Sequence, residues 1–175
     1  LEQGGTVEID CLGSFRPDGK GGFEFLPETR PKVFLAYAVE DVEAAERLYG
    51  DLIAQGLDPW LDRKKLLPGQ NWPRAIERAI AASDFFVACF SRRAGGKRGC
   101  FQSELRFALD CARRLPLEDV FVIPVRFEEC GVPERISREL QYVDLFPDWN
   151  KGVRRLLAAI RRQTKQKNRR LPLAG

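Results

Sequence analysis

The chain has 175 residues, 44% of them hydrophobic and 31% charged, and a formal net charge of +4. That is long enough for one well-filled core and short for two. It contains no His, which excludes His-dependent acid–base catalysis and most zinc sites. No metal site is therefore expected.

No run approaches the roughly 18 apolar residues needed to cross a bilayer, so no membrane partner is expected. The first residues lack the basic, apolar, small-residue order of a signal peptide. Cys11, Cys89, Cys100, Cys111 and Cys130 are scattered without CxxC spacing, as expected of reduced thiols in a cytoplasmic protein. A start at Leu1 and the absence of Met suggest a piece of a larger protein. Residues 151–175 carry nine Lys or Arg and no acid, which leaves residues 1–150 at −5. Such a basic end can touch nucleic acid or anionic lipid. The plainer expectation is a solvated helix end running into a disordered terminus, with no nucleic-acid partner.

In chain order, TVEIDCLG and GFEFLP flank a turn-rich RPDGKGG, a pattern that predicts a hairpin or the remnant of a linker over residues 1–30. From Lys32 the chain alternates short apolar runs with helical periods. KVFLAY predicts a buried strand, and DVEAAERLYGDLIAQG a helix with Val42, Ala45, Tyr49 and Leu52 inward, ended by Gly56. LDPWLD predicts a second strand, which Pro59 suits to a sheet edge. The loop RKKLLPGQN leads to a helix opened by Pro73, with Ala75, Ile76, Ala79 and Ile80 inward. DFFVACFS predicts the third strand, and the helix from Cys100 buries Phe101, Leu105, Ala108 and Ala112.

VFVIPVRF predicts a fourth strand, whose Pro124 cannot donate to a ladder and is expected at a strand end or bulge. LQYVDLF predicts a short fifth strand, and a last helix from about Trp149 turns Val153, Leu156 and Ile160 inward. Strand–helix alternation with short connections predicts a doubly wound parallel α/β domain. The expected division is an N-terminal segment 1–30, a domain 31–162 and a basic tail 163–175.

In such a sheet the loops leaving the carboxyl ends of the strands build the ligand site. Those ends carry Tyr37 and Ala38, Asp62 and Arg63, Ser91 and Arg92, followed by Glu104 in the first turns of the next helix. With a flavodoxin-like strand order of 2-1-3-4-5 the switch point falls between strands one and three, and Tyr37, Ser91 and Glu104 would surround one crevice. There is no GxGxxG and no GxxxxGK[ST], so the usual phosphate-cradling fingerprints are missing. Ser91 stands where a phospho-receiver domain needs an Asp. No second acid lies close in sequence to Glu104, which speaks against paired-carboxylate glycosidase chemistry. Asp62 is the acid that the second strand would bring to the same end.

KVFLAYAVEDVEAAERLYGDLIAQGLDPWLDRKKLLPGQNW, followed by DFFVACFS and CFQSELRFAL, resembles a Toll/interleukin-1 receptor (TIR) domain over about residues 32–160, closest to the bacterial branch. FLAY stands for the first-strand box, LDPWLDRKKLLPGQNW for the second strand and the long loop after it, and GCFQSEL for the helix bearing the family's acidic residue. The resemblance implies a five-stranded parallel sheet wrapped by helices. It also implies one of two functions: NAD⁺ glycohydrolysis with one catalytic Glu, which maps onto Glu104, or non-enzymatic signalling through TIR–TIR contacts. The expected function is the first: an effector domain of a bacterial antiphage or toxin-like system, fused to or activated by a sensor domain, that becomes active on self-association.

One carboxylate suits that chemistry. The nicotinamide of NAD⁺ is already cationic and leaves without a proton, so what needs stabilising is an oxocarbenium-like ribose. NAD⁺ is then substrate, and no cofactor is expected. Trp72 matches a position where enzymatic relatives carry a stacking aromatic; it could equally pack beneath a helix start. Asp62 could bond a ribose or end its strand, and Tyr37, Ala38 and Ser91 would line the pocket, Tyr37 with a core alternative. Arg92, Arg93, Lys97 and Arg98 could hold a pyrophosphate or simply form a solvated, mobile loop, the latter being the expectation for Lys97 and Arg98.

Ala36 replaces the usual Ser of the first box. The Trp common four residues before the Glu is Cys100, and Phe101 would supply the aromatic wall. Within the loop from Arg63 to Trp72, Leu66, Leu67, Pro68 and Gly69 form the implied assembly element, which packs on a neighbouring domain. A third reading is a nucleoside deoxyribosyltransferase-like enzyme, which also uses one Glu on a similar sheet.

Overall fold

A computed structural model describes residues 7–9, 13–17, 22–27, 30–61, 71–94, 100–116 and 118–170. The chain divides into two units, Leu1–Arg30 and Pro31–Gly175. In the first unit, strands β1 (Val7–Ile9), β2 (Gly13–Pro17) and β3 (Phe23–Pro27) form an antiparallel sheet in the order β1-β2-β3. Phe15 of β2 faces Val7 on one side and Phe25 on the other. TVEIDCLG, expected as one strand of a hairpin, therefore contributes β1 and the start of β2. The third strand matters physically, because an isolated two-stranded hairpin is marginal in water.

The second unit is built on five parallel strands: β4 (Lys32–Ala36), β5 (Asp58–Trp60), β6 (Phe85–Phe90), β7 (Val122–Arg126) and β8 (Val143–Asp144). Their order is β5-β4-β6-β7-β8, which is 2-1-3-4-5 within this sheet, as expected. The helices are α1 (Val42–Ala54), α2 (Trp72–Ala81), α3 (Cys100–Ala112), the single turn α4 (Glu134–Ser137) and α5 (Trp149–Arg170). β6 is buried at every residue, because both of its faces carry a hydrophobic layer.

Alternation along the strands sorts side chains between the layers. Val33, Leu35, Phe85, Val87 and Cys89 pack with Ala45, Leu48 and Leu52 of α1 and Val153, Leu156 and Ile160 of α5. Phe34, Ala36, Phe86, Ala88 and Phe90 pack with Ile76 and Ile80 of α2 and Phe101, Leu105 and Ala108 of α3. Phe34 stacks between Trp60 and Phe86, with ring centroids 4.7 and 5.4 Å away.

Helix α1 ends where the sequence placed its stop. Gly56 takes φ +78°, its N–H donates to the Ile53 carbonyl, and Leu57 donates to the Leu52 carbonyl. This is the double bond pattern of a Schellman terminus, which favours glycine. Pro59 does lie on the edge strand β5.

Pro124 differs from expectation: it sits in the middle of β7, opposite Ala88. The backbone alternation explains why. Phe127 donates toward β6 and Arg126 accepts from Leu145 on the β8 side, so Pro124 also faces the β8 side. There β8 has not yet begun, since its first residue, Val143, pairs with Val125. The missing donor takes nothing from a ladder.

Residues 163–170, assigned to a basic tail, are helical as the end of α5. Gln163 is buried and donates to the Glu118 carbonyl and the Asp119 carboxylate, while the Lys167 ammonium lies 5.1 Å from the Phe85 ring centre. No Pro or Gly interrupts 153–171, so good helix formers carry the helix on over the sheet.

At its other end α5 lies close to β8. A Cβ added at Gly152 would fall against the Asp144 carbonyl and 2.7 Å from the Leu145 Cα, both backbone atoms. Gly152→Ala is therefore expected to destabilise the protein by about 1–3 kcal/mol through overpacking, although alanine is the better helix former. Urea unfolding of the two proteins checks this; equal midpoints would show that the approach is not tight.

Candidate functional site

Helices α2 and α3 lie side by side on one face of the sheet, and a cavity of about 240 Å³ opens between them. Its described lining is Trp72, Pro73, Ile76, Glu77 and Ile80 from α2, with Ser103, Glu104 and Phe107 from α3. The sequence sets this up locally. The Asn71 side chain accepts from the Arg74 N–H and caps α2, and Pro73 needs no partner in the first turn. Helical spacing then puts Trp72, Ile76 and Ile80 on one stripe, with Pro73 and Glu77 alongside. On α3, Ser103 and Phe107 are four apart, with Glu104 beside them.

Trp72 is 47% exposed, so its ring is not taken up by the core beneath the helix. Glu104 is half-buried. Both sit in the first turns of helices that follow strand ends, the part of an α/β sheet where ligands bind. A carboxylate beside aromatic and aliphatic walls can stabilise a developing positive charge, the more so as water is excluded.

Tyr37, Ala38, Ser91, Arg92 and Phe101 are not among the described lining of this cavity. Tyr37 continues the odd-numbered side of β4 and packs with the layer of α1 and α5, on the opposite face of the sheet from Glu104. Ala38 packs on the same side as α2 and α3, and its carbonyl accepts from the Asp41 N–H. Ser91 is buried; its hydroxyl donates to the Asp41 carboxylate at 2.5 Å and accepts from the N–H groups of Arg93 and Ala94. It holds the turn after β6 in shape. Arg92 faces the loop after β7, donating from its N–H to Glu128 and from Nε to the Glu129 carbonyl. Arg93 reaches the Glu40 carbonyl.

Phe101 is buried and meets Phe90 edge to face at 5.3 Å, which makes it core under α3. The described lining of this cavity thus holds Glu104 and Trp72 but neither Tyr37 nor Ser91. Asp62, the assembly residues Leu66, Leu67, Pro68 and Gly69, and Lys97 and Arg98 lie outside the described residues, as does the Cys100 side chain.

Two residues with consequences were not expected. Glu77 brings a second carboxylate to the cavity, 27 positions from Glu104 in sequence and one turn past Pro73. The helical pattern of α2 contained that signal. Asp41 had none, since its partner Ser91 lies 50 residues away. Burial pushes the Cys89 thiol far above its ordinary pKa, with the nearby Asp41 charge adding to the effect. Burial likewise raises Cys111 and Cys130. These three thiols are free, but they are poor nucleophiles at neutral pH. Among the described residues no group of His, Cys, Asp and Glu could hold a metal ion, and no helix is long and apolar enough to cross a membrane.

The family model for the TIR domain matches residues 33–157, most of the chain. The chain belongs to the TIR domain family. A curated relative, the uncharacterized protein y4cD of Sinorhizobium fredii, is 27% identical over 153 residues, 87% of this chain. The chain spans only 24% of that protein's length.

Solved structures share the fold of this TIR domain. The TIR domain of the Toll-related receptor TRR-2 from Hydra magnipapillata superposes with a TM-score of 0.61 at 23% identity, covering 74% of this chain and 97% of that one. The TIR domains of the activated Roq1 resistosome, which recognises the pathogen effector XopQ, give 0.57 at 20% identity, covering 74% and 99%. The CMP N-glycosidase BcmB of Clostridium botulinum gives 0.50 at 18% identity, covering 73% and 98%.

The Ser91 hydroxyl makes three hydrogen bonds inside this TIR domain, and alanine there would strand the two turn amides and the Asp41 carboxylate. Ser91→Ala is expected to cost about 1–3 kcal/mol of stability. A double-mutant cycle with Asp41→Asn, read by denaturant unfolding, checks it: additive losses would mean that the bond to Asp41 carries no energy.

Proposed function

We propose that this TIR domain cleaves the bond between nicotinamide and ribose in NAD⁺. The observation that carries the reading is the placement of Glu104 on a cavity with Trp72, at the starts of two adjacent helices. In the reaction the C–N bond breaks heterolytically and its electron pair leaves with the pyridinium ring, which departs as neutral nicotinamide. Positive charge passes to the ribose, and the Glu104 carboxylate stabilises it electrostatically. Water then adds to the sugar carbon and loses a proton, giving ADP-ribose. Trp72 offers an aromatic surface for a ring of the substrate.

No His, thiolate or metal is needed by this scheme. The fold neighbour named as a CMP N-glycosidase also acts on a nucleotide's N-glycosidic bond, which fits the same class of chemistry. We further propose that the domain works as an effector joined to a sensor, in bacterial defence signalling, and is active when several copies assemble. The implied assembly loop, from Arg63 to Trp72, precedes the cavity wall directly in sequence.

The test is nicotinamide release from NAD⁺ at high protein concentration, followed by chromatography. Wild-type protein should release nicotinamide at a rate per molecule that rises with concentration. Glu104→Gln should lower that rate by at least about 100-fold, the scale of losing one transition-state charge partner, without changing the melting temperature. If concentrated wild type leaves NAD⁺ intact and still binds other TIR domains, the protein is an adaptor. If it instead exchanges bases on deoxynucleosides or hydrolyses CMP, the substrate assignment is wrong.

A further inference from the structure

The described lining of the cavity has a composition that the single catalytic Glu does not explain. It holds two carboxylates, Glu77 and Glu104, two aromatic side chains, Trp72 and Phe107, and no Lys or Arg. The two acids come from different helices that face each other across the opening, so their charges act on the same volume. Carboxylates together with aromatic faces attract a delocalised organic cation, and they offer nothing comparable to a neutral ring of the same shape. Within the lining, Ile76, Ile80 and Pro73 give such a ring apolar walls.

We propose that Glu77 is a specificity-determining residue that makes this cavity select a cationic N-alkylpyridinium group over its neutral counterpart. On the glycohydrolase reading above, that selects oxidised NAD⁺ over NADH, whose dihydropyridine ring carries no charge. Glu77 takes no part in bond breaking: it belongs to α2, while Glu104 on α3 serves the ribose. The division of labour gives one carboxylate to the leaving group in the ground state and the other to the sugar in the transition state. A charge that favours bound pyridinium contributes to affinity, and that contribution is given up in the chemical step as the ring becomes neutral.

The probes are 1-methylnicotinamide, a permanent cation, and nicotinamide, neutral at pH 7.5, with binding read by ligand-observed NMR titration. Wild type should bind the cation more tightly. Glu77→Gln should shrink the cation-to-neutral preference by about two- to five-fold, the scale of one solvent-exposed charge contact. Glu77→Asp should retain it, and 0.5 M NaCl should compress it, as screening requires. Glu77→Lys should weaken the cation further and improve binding of the nicotinate anion, a gain that a merely misfolded variant would not produce.

In turnover, Glu77→Gln should raise KM for NAD⁺ and kcat together, by up to that factor, and leave kcat/KM little changed, because the interaction is lost as the ring's charge leaves it. Equal binding of the two probes to wild type, or a preference untouched in Glu77→Gln and Glu77→Lys, overturns the inference. A Glu77-dependent preference without NAD⁺ cleavage leaves the inference standing and removes the glycohydrolase reading. Cleavage without such a preference does the reverse.

Discussion

The fold depends on one constraint: β6 is apolar at every position from Phe85 to Phe90, so neither of its faces tolerates water. A strand of that kind needs a helical layer on each side, and the parallel sheet supplies them through its crossovers. The two layers are unlike. One is made by α1 and the long α5, with Val153, Leu156 and Ile160 lying over Val87 and Cys89. The other is made by the shorter α2 and α3, packed against a stacked row of Trp60, Phe34 and Phe86. Each layer leaves an opening between its helices; in the described linings the one between α1 and α5 carries Asp51 opposite Arg154 and Arg161, and the one between α2 and α3 has a carboxylate on each side.

That asymmetry gives the two ends of the molecule different work. On the α1–α5 side polar groups are used for cohesion. The Trp149 indole donates to Asp51 at 2.7 Å, Arg47 lies 4.3 Å from the Trp149 ring centre, and Arg161 reaches Gln55. Near β8, Arg126 forks onto Asp144 and also donates to the Cys130 carbonyl, which anchors the loop after β7 to the sheet edge. At the end of β6, the Ser91 hydroxyl bonds Asp41 and the N–H groups of Arg93 and Ala94 and holds the turn that follows in shape.

Much of this was legible in residue order. Strand and helix alternation, the Gly56 stop, Pro59 on an edge and the inward stripes of α3 and α5 follow from local rules and appear as read, while in α1 Ala45 and Leu52 are buried as read together with Leu48, which the reading left out. Glu104 was singled out by its place after a strand end and then by resemblance, Trp72 by resemblance alone, and both line one cavity. Other readings failed for identifiable reasons. Of the two readings given for Tyr37, pocket lining and core, the core one describes it: it has the parity of Val33 and Leu35 and packs with the α1–α5 layer. Pro124 was pushed to a strand end by its missing N–H, but the short length of β8 leaves that side without a ladder partner.

What the sequence determined by itself is whatever depends on near neighbours: element types, caps, the two-sided burial of β6, and the family pattern with its single Glu. Tertiary structure alone decided which strand face looks at which helices, and therefore which distant residues meet. Glu77 and Glu104 are neighbours only because α2 and α3 cross onto the same layer, and Ser91 meets Asp41 only because β4 and β6 lie side by side. Period-two and period-3.6 patterns state that a face is buried. They carry no record of what buries it, since the hydrophobic effect is non-directional and the partner is chosen by packing of the whole domain.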